Sequence, residues 1–198
     1  MSVATAFLFA TTAEAAPLVG ALGARALVTG PTPLFGAEDL LIAIGVMGLG
    51  AARDAVERLA GTHALRRIVN LGIAGSLTDS LAVGEVVDVA EVRSERPDAP
   101  AFATVPVRGA AGPRVARLLS RDEPVFDPAL RTRLSGVADL VDMEGYAVAE
   151  RCAERGLDCV LLKSVSDDAT DRAMLHANLE RASRDLAAFV LARLDDFK

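Results

Sequence analysis

Four short stretches carry the side chains that can move protons. "ATTAEAAPL" near the start holds Glu14, and "VNLGIAGSL" at 69–77 holds Ala74 between Gly72 and Gly75. "LVDMEGYAVAE" at 140–150 holds Asp142, Met143 and Glu144, and "KSVSDDA" at 163–169 holds Ser166, Asp167 and Asp168. Carboxylates gathered at one place push one another's pKa values upward, and that suits an acid working near neutrality. Taken singly, each residue has an ordinary structural reading. Glu14 fits an exposed first helical turn, Ser166 or Asp167 a helix N-cap, Glu144 a helix N-terminus, and the two glycines a tight turn. Their shared position argues for chemistry instead. Each stretch follows an apolar run that reads as a strand, and ligands of open α/β sheets bind where strands end.

The elements that must position these residues alternate in type. "VATAFLFA", "RALVTG", "LLIAIGV", "GEVVDVAEVRS", "ADLVDM" and "DCVLLKSVSD" read as strands. "RRIVNLGIAGSL" reads as a strand running into a glycine turn, and "AFATVPVRG" as an edge strand because of Pro106. Helical patterns fall on "AEAAPLVGAL" and on "GAARDAVERLAG", where Ala52, Val56 and Leu59 share a face. A third covers "EGYAVAERCAERG", closed by Gly156, and the last holds Leu175, Leu179, Ala182, Leu186, Phe189 and Val190 at spacings of three and four. Such alternation predicts an α/β fold. Residues 94–114, rich in Pro, Gly and charge, predict a loop or edge, and "GVMGLGAAR" at 45–53 a backbone turn that lines a pocket or starts a helix. No repeat or linker divides the 198 residues, so a single domain spanning 1–198 is expected.

Composition narrows the function. The chain is 52% apolar with 4% aromatic residues and no Trp, so the core must be built from Ala, Val, Leu and Ile. A net charge of −6 argues against a nucleic-acid partner. Lys163 and Lys198 are the only lysines. No apolar run reaches the length of a membrane span, and the opening apolar stretch lacks the basic flank of a secretory signal, so a cytoplasmic protein with two reduced thiols, Cys152 and Cys159, is expected. Neither His63 nor His176 falls in a serine-hydrolase or zinc motif, and both read as surface or boundary residues. Phosphate-binding P-loop and dinucleotide glycine patterns are absent.

At these same stretches the sequence resembles the nucleoside phosphorylase and nucleosidase superfamily. "VDMEGYAVAE" is similar to its "MEG/MEA" signature, "VNLGIAGSL" to its "GxAGxL" segment, and "KSVSDDA" to its "xxISDxA" segment. "ATTAEAAPL" resembles the opening of the hydrolytic branch, and all four occur in the family order. The nearest resemblance is to 5′-methylthioadenosine/S-adenosylhomocysteine nucleosidases, with futalosine hydrolases second. The resemblance implies a three-layer α/β/α fold around a mixed, partly barrel-like sheet. It also implies cleavage of a purine N-glycosidic bond without metal or cofactor, a small-molecule nucleoside as partner, and a homodimer.

Roles follow from that resemblance. Asp167 would protonate or hydrogen-bond N7 of the base, with Ser166 orienting its carboxyl. Glu144 would hold the ribose hydroxyls while Met143 packs on the sugar. Glu14 would position and deprotonate water. Ala74, Gly75 and Phe126, the last from "DEPVF", would line the substrate pocket. Asp142 either faces solvent or braces a turn, and Tyr146 either fills part of the pocket or packs under it. The bacterial phosphorylases place arginines after the first strand and before the glycine segment, where this chain has "TTAEAAP" and Asn70. A glutamate there repels phosphate, so water is the expected nucleophile. A phosphate-dependent phosphorylase and a non-catalytic nucleoside-binding protein are the alternatives.

Overall fold

The computed structural model describes residues 5–107 and 112–197. The first half runs β1 (Thr5–Phe9), α1 (Thr12–Ala21), β2 (Arg25–Val28), β3 (Leu34–Ala37), β4 (Leu40–Ile44), α2 (Leu49–Thr62) and β5 (Arg67–Ser76). There follow β6 (Val86–Ser94), β7 (Phe102–Ala103), β8 (Arg114–Ser120), α3 (Pro128–Leu134), β9 (Leu140–Asp142), α4 (Gly145–Arg155), β10 (Asp158–Asp167) and α5 (Arg172–Leu191). A short 3-10 turn, Leu194–Phe197, ends the described chain.

These strands form one mixed sheet in the order β10-β6-β8-β9-β5-β1-β4-β3-β2, with β7 on the edge of β6. A further pairing of β10 with β5 closes five strands, β10-β6-β8-β9-β5, into a barrel. β1, β4, β5 and β10 run parallel, so their carboxyl ends share one side. β9 comes in antiparallel to β5, with Val141 opposite Gly75. Residues 142–144 therefore meet the far end of β5 rather than leaving it.

Helices cover both faces. α2 and α4 pack together on one side in a cluster that includes Ala52, Val56, Leu59, Val148 and Cys152. On the other side, α1 and α5 enclose Phe7, Leu18, Ile42, Leu162, Leu186 and Val190. Strands covered on both faces need no polar alternation, which is why β1 and β4 are buried at every residue. α4 ends on Gly156 in the left-handed region at φ 67, as its sequence predicts. Cys152 and Cys159 are buried free thiols. Among the described residues no helix is long and apolar enough to cross a membrane.

Several expectations change. β5 does not break into a glycine turn; it continues through Gly72 and Gly75 as a ten-residue strand. Its glycines serve another purpose, described below. The edge strand expected at 101–109 shrinks to Phe102–Ala103. Beyond it the N–H of Val105 goes to Cys159 O and that of Val107 to Asp88 Oδ2, while residues 108 and 109 lie outside the described part. The stretch 94–114, read as loop or edge, bears β7 and the first residue of β8, with 108–111 outside the described residues. β3, β8 and α3 were not anticipated. The signal for α3 was present, since Asp127 caps the N–H groups of Ala129 and Leu130 and Pro128 opens the helix. The cap of α5 is Asp171, not Ser166 or Asp167.

Candidate active site

One cleft, about 260 Å³ in volume, opens where β1, β4, β5, β9 and β10 end. Glu14, Glu144 and Asp167, separated by long stretches of chain, all line it. Each is nearly inaccessible: 4%, 6% and 3% exposed. So many buried carboxylates must be held by donors or counter-charges, and the neighbouring atoms supply both.

Glu14 sits in the first turn of α1, as the bland reading had it, yet it is buried. "TTAE" is a capping box. Thr11 Oγ1 accepts from the Glu14 N–H at 3.2 Å, and Glu14 Oε2 accepts from the Thr11 N–H and hydroxyl at 2.8 Å each. Oε1 accepts from Ile73 N at 3.1 Å. Gly72 makes room for that approach, because a methyl there would lie 3.0 Å from Oε1 of Glu14, closer than ordinary van der Waals contact.

Asp167 depends on Gly75 in the same way: a methyl would stand 3.0 Å from its Oδ1. The pairing of β10 with β5 shifts between Val165 and Asp167, leaving Ser166 as the extra residue of a bulge. A bulge breaks the in-and-out alternation of a strand, so two consecutive residues, Ser166 and Asp167, reach the same cleft. The Ser166 hydroxyl donates to Asp167 Oδ2 at 2.6 Å and the Ala169 N–H to Oδ1 at 2.8 Å. Ala169 takes the left-handed conformation, φ 57, to bring its N–H round. Burial raises the pKa of Asp167 above the ordinary carboxylate value, against the lowering effect of these two donors.

Glu144 occupies the N-cap position of α4 but makes no capping bond with its side chain. Its Oε1 instead accepts from Gly48 N at 2.7 Å. Gly48, at φ 86, opens α2 from the glycine turn at 45–53, which thus lines the cleft and starts a helix as expected. Burial, and then the nearby Asp142, push the Glu144 pKa up to about 7, while Lys163 and the Gly48 N–H act in the opposite direction.

Asp142 does not face solvent. It braces the turn into α4, accepting from Gly145 N at 2.9 Å and from the Ser120 hydroxyl, and it pairs with Lys163 at 2.8 Å. Both side chains of that ion pair are 1% exposed. Burial disfavours the Lys163 charge, but Asp142, Glu144 and Glu14 together outweigh it and hold its pKa above the ordinary lysine value.

Ala74, Gly75, Phe126, Met143 and Ser166, the other residues singled out from the sequence, also line the cleft. Phe126 is half-buried with the Arg172 guanidinium 5.2 Å from its ring centre. Tyr146 does not line it; its ring, carried on the first turn of α4, is buried 5.4 Å from that of Phe102. Sequence reasoning missed Met47, Ile73, Leu175, His176 and Leu179. His176 is exposed, as expected, but stands at the cleft on the first turns of α5. Only its spacing from Leu175 and Leu179 hinted at this, and that spacing reads equally as core.

Residues 135–195 match the family model described as the phosphorylase superfamily. A 5′-methylthioadenosine/S-adenosylhomocysteine nucleosidase of Shewanella oneidensis is 28% identical over 162 residues, covering 68% of this chain and 69% of that one. The counterpart in Shewanella putrefaciens is 27% identical over 192 residues, covering 81% and 83%. Among solved structures, a Helicobacter pylori nucleosidase of that name, bound to butyl-thio-DADMe-Immucillin-A, superposes with a TM-score of 0.88 at 18% identity, covering 99% of each chain. A Helicobacter pylori futalosine hydrolase gives 0.87 at 18% identity over 98% of each chain. In its barrel-closed sheet the chain shares the fold of these solved structures, and its segment 135–195 and these distant sequence relatives make it similar to the phosphorylase superfamily.

Proposed function

We propose that the protein hydrolyses the N-glycosidic bond of a purine nucleoside of the 5′-methylthioadenosine/S-adenosylhomocysteine type, releasing free base and a ribose derivative. The observation that carries this reading is the meeting of Glu14, Glu144 and Asp167 around one otherwise mostly apolar cleft. Cleavage builds positive charge on the ribose and negative charge on the departing base. Asp167, its pKa raised by burial, delivers a proton to N7 as the C1′–N9 bond breaks. Glu144 keeps its second oxygen for the ribose hydroxyls, and Met143 packs on the sugar. Glu14 takes a proton from the water whose oxygen bonds to C1′. Acid and base act on opposite sides of the scissile bond, as in glycoside hydrolysis.

Water is favoured over phosphate because no Arg or Lys lines the cleft among the described residues. A phosphate dianion among three carboxylates would lack a counter-charge. The sequence relatives carry the nucleosidase name and favour it over futalosine hydrolysis, which the structural likeness leaves as the second reading. Release of free base decides the matter, measured on methylthioadenosine, S-adenosylhomocysteine, adenosine, inosine and futalosine with and without phosphate. Hydrolysis of the first two without phosphate is the expected result. Dependence on phosphate would make the protein a phosphorylase, and binding without turnover a nucleoside-binding protein. We further infer a homodimer, which light scattering would report as twice 20.6 kDa.

A further inference from the structure

Behind the cleft runs a chain of buried polar groups of which Asp142 alone borders it. Leu8 O on β1 accepts from Asn70 Nδ2 on β5 at 3.3 Å, and Asn70 Oδ1 accepts from Lys163 Nζ on β10 at 2.7 Å. Lys163 pairs with Asp142 at the end of β9, and Asp142 accepts from the hydroxyl of Ser120 at the end of β8. The Ser120 oxygen then accepts from Tyr146 N at 2.8 Å, next to the Gly145 N–H that Asp142 already holds. Asn70, Ser120, Asp142 and Lys163 are each 6% exposed or less.

The last two bonds are the informative ones. An acidic or hydroxyl side chain at an N-cap normally bonds the first free N–H groups of its own helix. At α4 that task falls to Asp142 and Ser120, and Glu144, the N-cap residue, is released to cross to Gly48. We propose that Lys163, Asp142 and Ser120 are positioning residues: a buried strut that relieves Glu144 of capping α4, aims its carboxylate into the cleft and sets the charge surrounding it. The inference rests on the reading of Glu144 as the ribose-binding group.

The charges around Glu144 come from four directions: Asp142 on β9, Lys163 on β10, Glu14 on α1 and the Gly48 N–H before α2. The two members of the ion pair act on Glu144 with opposite signs. Removing each in turn therefore separates positioning from mere structural support. Carboxyl-carbon NMR titration of the unliganded protein, with Glu144 assigned from its loss in Glu144→Gln, reads the effect directly. In Lys163→Met the Glu144 midpoint should rise by about one pH unit or more, and in Asp142→Asn it should fall by a similar amount. Lys163→Arg should restore it, and the acid limb of kcat/KM should move with the midpoint in each variant. Midpoints that stay put, or that move in the same direction, in variants with native circular dichroism would overturn the proposal. Should Lys163→Met fail to fold, Asp142→Asn and Lys163→Arg still decide it. The titration requires no substrate, so midpoints that shift as stated in a protein that cleaves no nucleoside would sink the nucleosidase reading and leave the strut standing.

Discussion

Glu144 ties function to stability. Its folded pKa of about 7 lies above the value of 4.5 for the free side chain. A carboxyl whose pKa rises on folding binds its proton more tightly in the folded state, so ionisation works against folding. The penalty is absent below about pH 4.5, grows as pH climbs to 7 and is complete above it. It amounts to about 3 kcal/mol at most. Glu144→Gln keeps an acceptor for Gly48 N and removes the charge. It should unfold at higher denaturant concentration than the parent at pH 8 and at the same concentration near pH 4, while hydrolysis is lost. Asp167→Asn is a different case, since it removes the proposed acid but leaves the pocket. The expected effect is a fall in kcat of about 10²–10⁴-fold with little change in KM, read from initial rates.

At the level of elements, β5 works through what it lacks. Gly72 and Gly75 leave the space that the carboxylates of Glu14 and Asp167 occupy. Gly75→Ala should displace Asp167 and lower kcat at least tenfold, because a misplacement of about 1 Å can cost a hundredfold. The control is Gly61→Ala in α2, where an added methyl meets nothing within 4 Å. That change should leave the rate alone and raise stability by about 0.5–1 kcal/mol in denaturant titration. The start of α1 has two duties, since the capping box that starts the helix also holds Glu14. Thr11→Val should therefore cost about 1 kcal/mol of stability and reduce the hydrolytic rate as well.

Across the whole molecule, the cleft is assembled from five strand ends, three on the closed barrel and two on the adjoining β1 and β4, so occupying it should brace the entire fold. A ligand at a hundred times its Kd adds about 2.7 kcal/mol, which for a chain of this size raises Tm by roughly 5–10 °C. Methylthio-immucillin-A, the ligand in the structurally similar Neisseria meningitidis nucleosidase, is a suitable probe in a thermal-shift measurement. A shift with that compound and none with ribose or adenine alone is the expected pattern. Because binding is read without turnover, the result also separates an occupied but silent site from an active one.

The amino-acid order alone determined the α/β alternation, the helix faces, the Gly156 stop and the polar residues set after apolar runs. These are short-range matters: periodicity, turn chemistry and polar residues set immediately after apolar runs. It also carried the capping box of "TTAE" and the Asp127–Pro128 start of α3 in plain letters. Tertiary structure decided the rest. Whether β5 turns or continues depends on partners far along the chain: β10 pairs with it in parallel through Gly72 and Gly75, and β9 pairs antiparallel at Gly75. Asp142 was ambiguous because its partner Lys163 lies on another strand, and a buried charge is understood only once its counter-charge is known. His176 joined the cleft, and Tyr146 left it, for the same reason. A side chain's direction is fixed by the element packed against it, and the closed barrel, not local sequence, chooses that element.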